Sequence, residues 1–377
     1  MPGPFRAAVV GLGRIAQRKH LPNLLASPAF SVVGLSDLSD RVLEGVGRSA
    51  VVPRAGLDPD FRRLFELGPD VVFVLNHDHY PVARAALEAG IAVFVEKPLA
   101  WTSAQARDLV SLAERKGVWL GTGYMRRHDP HARWIAEFVR AKGPPLLVGC
   151  RNQAGGIRTW IDPLFETIEP ADGEREKTKR ERDEAWKAAV SSAMGPGEGE
   201  AAFEDILFYR LLAEFLSHDL DLLRFWLGGG VRVERAQFFG ADRPDLGRRA
   251  YIIRLDLRYG DVPVTIEAVP LFDAPWLWKE SFEVVYPRDF VSIAFGNPFL
   301  AGTGTRLVHE EGRSNRPAST RLSLGIKDPF ALELEWIAAE LGKKPPDLGP
   351  AREAAETVAL VERLFRRRSG GSARDEP

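Results

Sequence analysis

Lys97 stands in the tract Val93-Phe94-Val95-Glu96-Lys97-Pro98-Leu99, a charged pair closing an apolar run. Read as a buried strand, that run puts Glu96 and Lys97 at its carboxyl end, where open α/β sheets bind their ligands. Pro98 stops the strand. In such a place Lys97 can bind or polarise a substrate hydroxyl, or help take its proton. A surface lysine after a strand is the plain alternative. A second tract, 209–224, has helical spacing, so residues three and four apart share a face. Arg210, Glu214, Ser217, His218 and Asp221 then form one polar stripe on an otherwise apolar helix. An ordinary surface helix gives the same pattern, but the apolar residues cover most of the circumference, which favours a stripe facing a cleft. Histidine is the side chain best suited to accept and return a proton near neutral pH. Glu214 or Asp221 is placed to orient the His218 ring or to stabilise its imidazolium.

A third tract holds anions rather than protons. Residues 7–16 read as an apolar strand running into Gly11-Leu12-Gly13-Arg14-Ile15-Ala16 and then a helix. Gly11 permits a tight turn, Gly13 lets backbone amides approach a pyrophosphate, and Ala16 allows close helix–strand packing. With Arg14 and Ile15 these residues form a dinucleotide-binding turn, its pyrophosphate at a helix N-terminus. Asp37 follows the second apolar run. A carboxylate there accepts hydrogen bonds from ribose hydroxyls and repels a 2′-phosphate, which favours NAD. Arg41 nearby keeps NADP open, and helix capping is the bland alternative for Asp37. The tract Asn76-His77-Asp78-His79 has no third ligand at helical spacing, so no metal is expected. It reads better as a loop lining the nicotinamide pocket, with Asn76 and His79 toward the cofactor beside Glu96 and Lys97.

The elements that must position these residues are legible in the alternation of the first 122 positions. Apolar runs at 6–10, 31–35, 71–75, 92–95 and 118–122 are separated by helical patterns starting near residues 14, 39, 60, 80 and 103. Continuous apolar runs suit strands buried on both faces, so the expected fold is α/β, a Rossmann doubly wound parallel sheet over 1–122. Residues 123–368 are expected to form an α+β domain with a large, mostly antiparallel sheet. It has a helix near 131–141, a strand near 146–152, a long helix over 203–227, and strands near 231–239, 250–258, 262–269, 281–286 and 291–295. The charged stretch 166–200 reads as an insert bearing a solvated helix. Residues 369–377 read as a disordered tail.

Bulk composition excludes several classes. With 51 Lys and Arg against 52 Asp and Glu, net charge is −1, leaving no basic excess for nucleic acid. No run of about 18 apolar residues spans a membrane, and the start does not read as a signal peptide. One cysteine, Cys150, allows no intrachain disulfide, so a cytoplasmic, reducing compartment is expected.

Along its length the chain resembles the glucose–fructose oxidoreductase, inositol dehydrogenase and rhizopine-catabolism (Gfo/Idh/MocA) family. The resemblance lies in the turn at 11–16, in NHDHYPVARAALEAGIAVFVEKPLA (76–100), GYMRRHDP (123–130) and SHDLDLLRFWLG (217–228). It implies an NAD(P)-dependent oxidoreductase acting on a hydroxyl of a sugar, sugar derivative or cyclitol. It also implies a second domain whose open sheet mediates homodimers or homotetramers. By the same resemblance Lys97 contacts substrate and cofactor, His218 is the general base, and Tyr124 and Arg126 lie on the loop entering the substrate domain. Tyr124, Arg126 and, from the polar stripe, Asp221 are expected toward substrate. Three positions depart from the family pattern: Glu214 for the usual aspartate, Leu216 for a glycine, and Val74-Leu75 for Thr-Pro. A nucleotide-binding sensor and an NAD-dependent glycoside hydrolase of the same fold are the alternatives.

Overall fold

The apolar runs near the start of the chain pair side by side in one parallel sheet. They are β1 (Phe5–Val10), β2 (Phe30–Ser36), β3 (Val71–Val74), β4 (Ala92–Glu96) and β5 (Leu120–Gly123), in the order β2-β1-β3-β4-β5. The computed structural model describes residues 3–155, 166–195, 201–243, 248–271, 278–300, 303–313, 316–325 and 327–369. All four residues of β3 are fully buried, as a strand between two helix layers requires. Because side chains alternate across a strand, Ala8 and Val10 pack on one face with the helices His79–Glu88 and Ser103–Lys116. Ala7 and Val9 pack on the other with Leu21, Leu24, Val42 and Val46. Strand order reverses direction between β1 and β3, so the ends of those strands flank the switch point where such sheets bind ligands.

The chain divides into two compact units: Met1–Met125, Glu166–Ser217 and Pro329–Ala359 in the first, the remainder in the second. The charged insert and the helices near the end of the chain therefore group with the Rossmann sheet, although they follow it by many residues. The reason is apolar area: Leu334 and Ile337 complete one face of the sheet, and Ala351, Ala354 and Val358 complete the other.

The second unit is built on a nine-stranded sheet. Its strands are β6 (Leu147–Gly155), β7 (Val231–Arg243), β8 (Arg248–Tyr259), β9 (Val262–Leu271), β10 (Trp278–Val285), β11 (Asp289–Phe295), β12 (Arg306–Arg313), β13 (Arg316–Leu322) and β14 (Arg368–Ser369). The order is β13-β12-β11-β10-β6-β9-β8-β7-β14, antiparallel except for β6 with β9 and β14 with β7. Burial alternates strictly along β11, the mark of a sheet with one covered face. On that face the Trp226 indole donates to the Ala132 carbonyl at 2.8 Å and meets Phe282 edge-on at 4.9 Å.

Three expectations are corrected. The run 203–227 is not one helix but Phe203–Arg210, a π-helical turn Leu211–Phe215 and Ser217–Leu227. The insert carries a 23-residue helix, Asp172–Met194, that is not wholly solvated: Trp186, Ala189, Val190 and Ala193 are buried along one stripe. Ser369 is part of β14 rather than a tail, while 370–377 and 196–200 lie outside the described residues.

Candidate active site

β1 runs straight into the glycine turn. Gly11 has φ +90°, and a Cβ there would overlap the backbone of Asn76, so the ends of β1 and β3 approach more closely than any other residue permits. Gly13 is exposed, and nothing lies within 4 Å of where its Cβ would stand, the clearance a pyrophosphate needs. Ala16 is fully buried against the sheet. The chain after the turn opens as a π-helical turn, Ala16–His20, before Leu21–Ala26.

Asp37 is not a helix cap. The cap of Asp40–Ser49 is Ser39, whose hydroxyl accepts from the Val42 amide at 3.3 Å. Asp37 accepts instead from the Leu12 amide at 2.7 Å and the Ser39 amide at 2.9 Å, tying the end of β2 to the glycine turn. Burial raises its pKa, and these two amides counter the rise. Each carboxylate oxygen keeps a lone pair for a ribose hydroxyl. The open Gly13, the tethered Asp37 and Asn76 Oδ1, a buried acceptor without a hydrogen-bond donor among the described residues, fit a dinucleotide.

At the end of β4 the expected residues divide. The Lys97 ammonium donates to the Glu214 carbonyl at 2.6 Å. Glu96 and His79 both have partners within the protein. Glu96 is paired with His20 at 3.0 Å, and His79 donates from Nδ1 to the Pro98 carbonyl at 2.8 Å. Both are under 10% exposed. Burial tends to raise Glu96, but the His20 hydrogen bond and charge outweigh it and its pKa is lowered; His79 is lowered chiefly by burial and stays neutral. They brace the Lys97–Pro98 turn from behind. His20 was invisible in sequence because nothing in its spacing ties it to Glu96, 76 residues away.

The Glu214 carboxylate meets Arg210 at 3.3 Å and His77 Nε2 at 3.8 Å. His77 leans on Trp101, ring centroids 4.8 Å apart, and its pKa falls to about 3, mainly through burial and then the charge of Arg182. Trp101 stacks at 3.8 Å on Trp186 of the insert helix, and its carbonyl accepts the Tyr209 hydroxyl at 2.6 Å. The insert thus packs against the loops that follow β3 and β4. At its near end, Arg14 pairs with Glu169 at 2.9 Å rather than projecting freely. Ile15 is half-buried, and Tyr124 is buried in the sheet core.

In the second unit the remaining residues also divide. His218 is half-buried in the first turn of Ser217–Leu227. Asp221, expected beside substrate, is buried and held by Arg127 through two bonds of 2.6 and 2.7 Å. Arg126, likewise expected at substrate, is buried among Glu280 and Asp219, and burial pulls its pKa down to about 10. The π-helical turn Leu211–Phe215 and the bend at Leu216 interrupt the regular helical spacing on which a single stripe over 210–221 depends. Among the described residues no cluster of three or more His, Cys, Asp or Glu side chains forms a metal site, and no helix is long and apolar enough to cross a membrane.

Positions 5–124 match the model of the oxidoreductase family with an NAD-binding Rossmann fold, GFO_IDH_MocA. An inositol 2-dehydrogenase of Saccharopolyspora erythraea is 36% identical over 169 residues, 42% of this chain and 48% of that protein. A putative UDP-kanosamine synthase oxidoreductase subunit of Amycolatopsis mediterranei is 34% identical over 169 residues, 40% of this chain and 46% of that one. The chain thus spans about half the length of these relatives, or less. The crystal structure of KijD10, a 3-ketoreductase from Actinomadura kijaniata in complex with NADP and TDP-benzene, aligns over 97% of this chain and 98% of its own. Its TM-score is 0.69 at 17% identity, a likeness of fold in both domains. Over residues 5–124, where the glycine turn and the five-stranded sheet lie, the chain matches the Gfo/Idh/MocA family of oxidoreductases, with its NAD-binding Rossmann fold.

Proposed function

We propose that this protein is an NAD(P)-dependent oxidoreductase that moves hydride between a nicotinamide cofactor and a hydroxyl of a sugar, sugar derivative or cyclitol, with NAD preferred. The observation that carries the reading is the Lys97 ammonium at the end of β4, in the same unit as the close apposition of Gly11 and Asn76. When bound, the cofactor supplies the hydride acceptor or donor. Gly11, Gly13 and Asp37 would hold it, and Asn76 would line its pocket. Lys97 binds the reacting hydroxyl and favours its deprotonated form, and His218 takes the proton as general base. The relatives named for inositol and for UDP-kanosamine support a hydroxylated ring as substrate. A cytoplasmic homodimer or homotetramer belongs to the same reading, supported by the single buried thiol Cys150 and the sheet's uncovered face.

The test is a screen of polyols, inositols, sugars and sugar nucleotides for absorbance change at the nicotinamide band, followed by Lys97→Ala and His218→Ala on any substrate found. Each replacement is expected to lower kcat at least about 100-fold, with cofactor affinity changed far less for His218→Ala. Wild-type turnover in both variants would refute the assignment.

A further inference from the structure

The Asp40–Ser49 helix starts beside the end of β2, and the free amides and dipole of such a start attract an anion. The chain supplies that anion itself. Glu174, from the insert, accepts the Ser39 hydroxyl at 2.7 Å and the Ala171 amide at 3.0 Å. The Ser39 bond, then the Ala171 amide, hold its carboxyl below the usual range, with the Asp40 amide and the charge of Arg41 adding to them. Glu174 is therefore ionised at neutral pH. Its charge also reaches Asp37, where it adds to the upward push of burial.

The segment bearing Glu174 is fastened to the turn region. Gln17 donates to the Ile168 carbonyl and accepts from the Ile168 amide, both at 2.9 Å, while Arg14 holds Glu169. Ile168 lies on Gly45, where a Cβ would come within 2.8 Å of its Cδ1. The insert reaches this place by several contacts, not by one flexible side chain.

In a Rossmann crevice the end of β2 receives the adenosine ribose, and its 2′ substituent separates the two cofactors: a hydroxyl can donate to a carboxylate, whereas a phosphate needs cations and open amides. We propose that Glu174 occupies the anion position at the start of the Asp40–Ser49 helix and, with Asp37, makes this chain select NAD over NADP. The inference rests on the cofactor reading above and assigns its enforcement to the insert. Arg41, the cation that sequence leaves open for a 2′-phosphate, already acts on the Glu174 carboxylate. A 2′-phosphate would bring about two further negative charges to two existing carboxylates.

The experiment is titration of the full chain with NAD and NADP, wild type against Glu174→Gln and Glu174→Ala, with Asp172→Asn as a charge control. Asp172 is an exposed acid in the first turn of the same helix. Wild type is expected to bind NAD at least about ten-fold more tightly than NADP. Both Glu174 variants should tighten NADP about ten-fold, leave NAD nearly unchanged, and lose part of that gain in high salt, while Asp172→Asn keeps the wild-type ratio. Glu174→Gln retains an acceptor for Ser39, so a folding defect in Glu174→Ala leaves the test intact. NADP affinity unmoved in both variants with NAD still bound overturns the role of Glu174, as does wild-type preference for NADP, and either leaves the oxidoreductase reading standing. Binding of neither dinucleotide by wild type removes both.

Discussion

Two glycines two positions apart, Gly11 and Gly13, separate folding from binding. Gly11 must be glycine for backbone reasons, since its φ is +90° and a Cβ would strike Asn76. Gly13 has open space around it and an ordinary φ, so only a bound phosphate would object to a side chain. Gly11→Ala is therefore expected to destabilise the fold by at least ~2 kcal/mol and to abolish dinucleotide binding. Gly13→Ala should leave the unfolding midpoint in denaturant unchanged while weakening NAD. If both variants lose stability alike, the distinction between the two positions is wrong. The same separation applies around Lys97: His79 and Glu96, which sequence sets beside the cofactor, are held by Pro98 and His20 and serve the turn that carries Lys97.

Among the elements, the insert helix departs most from what its composition suggests. Its first half is charged and exposed, but Trp186 is 1% exposed, stacked on Trp101 with Arg210 over its ring. Trp186→Ala removes that anchor. Truncating a fully buried tryptophan costs ~3–5 kcal/mol, so the variant should expose the 172–194 helix to limited proteolysis that wild type resists. Equal resistance would mean that the helix is held elsewhere. The spacing of Trp186, Ala189, Val190 and Ala193 is legible in the sequence, but the surrounding charges mask it. The π-helical turn at Leu211–Phe215 is not legible, because a one-residue register change leaves no compositional trace. The edge hairpin β12–β13 is not legible either: its residues are mostly polar, and among its described side chains Leu307 alone is fully buried.

For the whole molecule, stability against pH should carry the signature of a buried charge cluster. Asp219 is fully buried, and burial lifts its pKa to about 6 even though Arg126 and Asn152 pull it down. Its folded form thus binds a proton more tightly than the unfolded chain, whose aspartate titrates near 3.8. The sign follows: Asp219 contributes stability that is fully present below about pH 4 and is lost as pH rises through about 6. Asp219→Asn should flatten this part of the profile, gaining relative to wild type between pH 5 and pH 7 in chemical unfolding. An unchanged slope would show that the proton resides elsewhere in the cluster, which also holds Glu280.

The sequence by itself determined the local physics: five parallel strands from uninterrupted apolar runs, the glycine turn, the acid ending β2, the lysine ending β4, and the family resemblance those tracts carry. Each depends on neighbours within a few residues, where period and composition suffice. The tertiary structure alone decided which polar groups are spent on one another. His20 with Glu96, Arg127 with Asp221, Arg126 with Asp219 and Glu280, and Glu174 with Ser39 are pairs 76 to 154 residues apart, or groups joined across separate strands and helices. No periodicity reports such pairings, because burying a charge demands a partner wherever the fold can bring one, and chain distance does not enter that requirement.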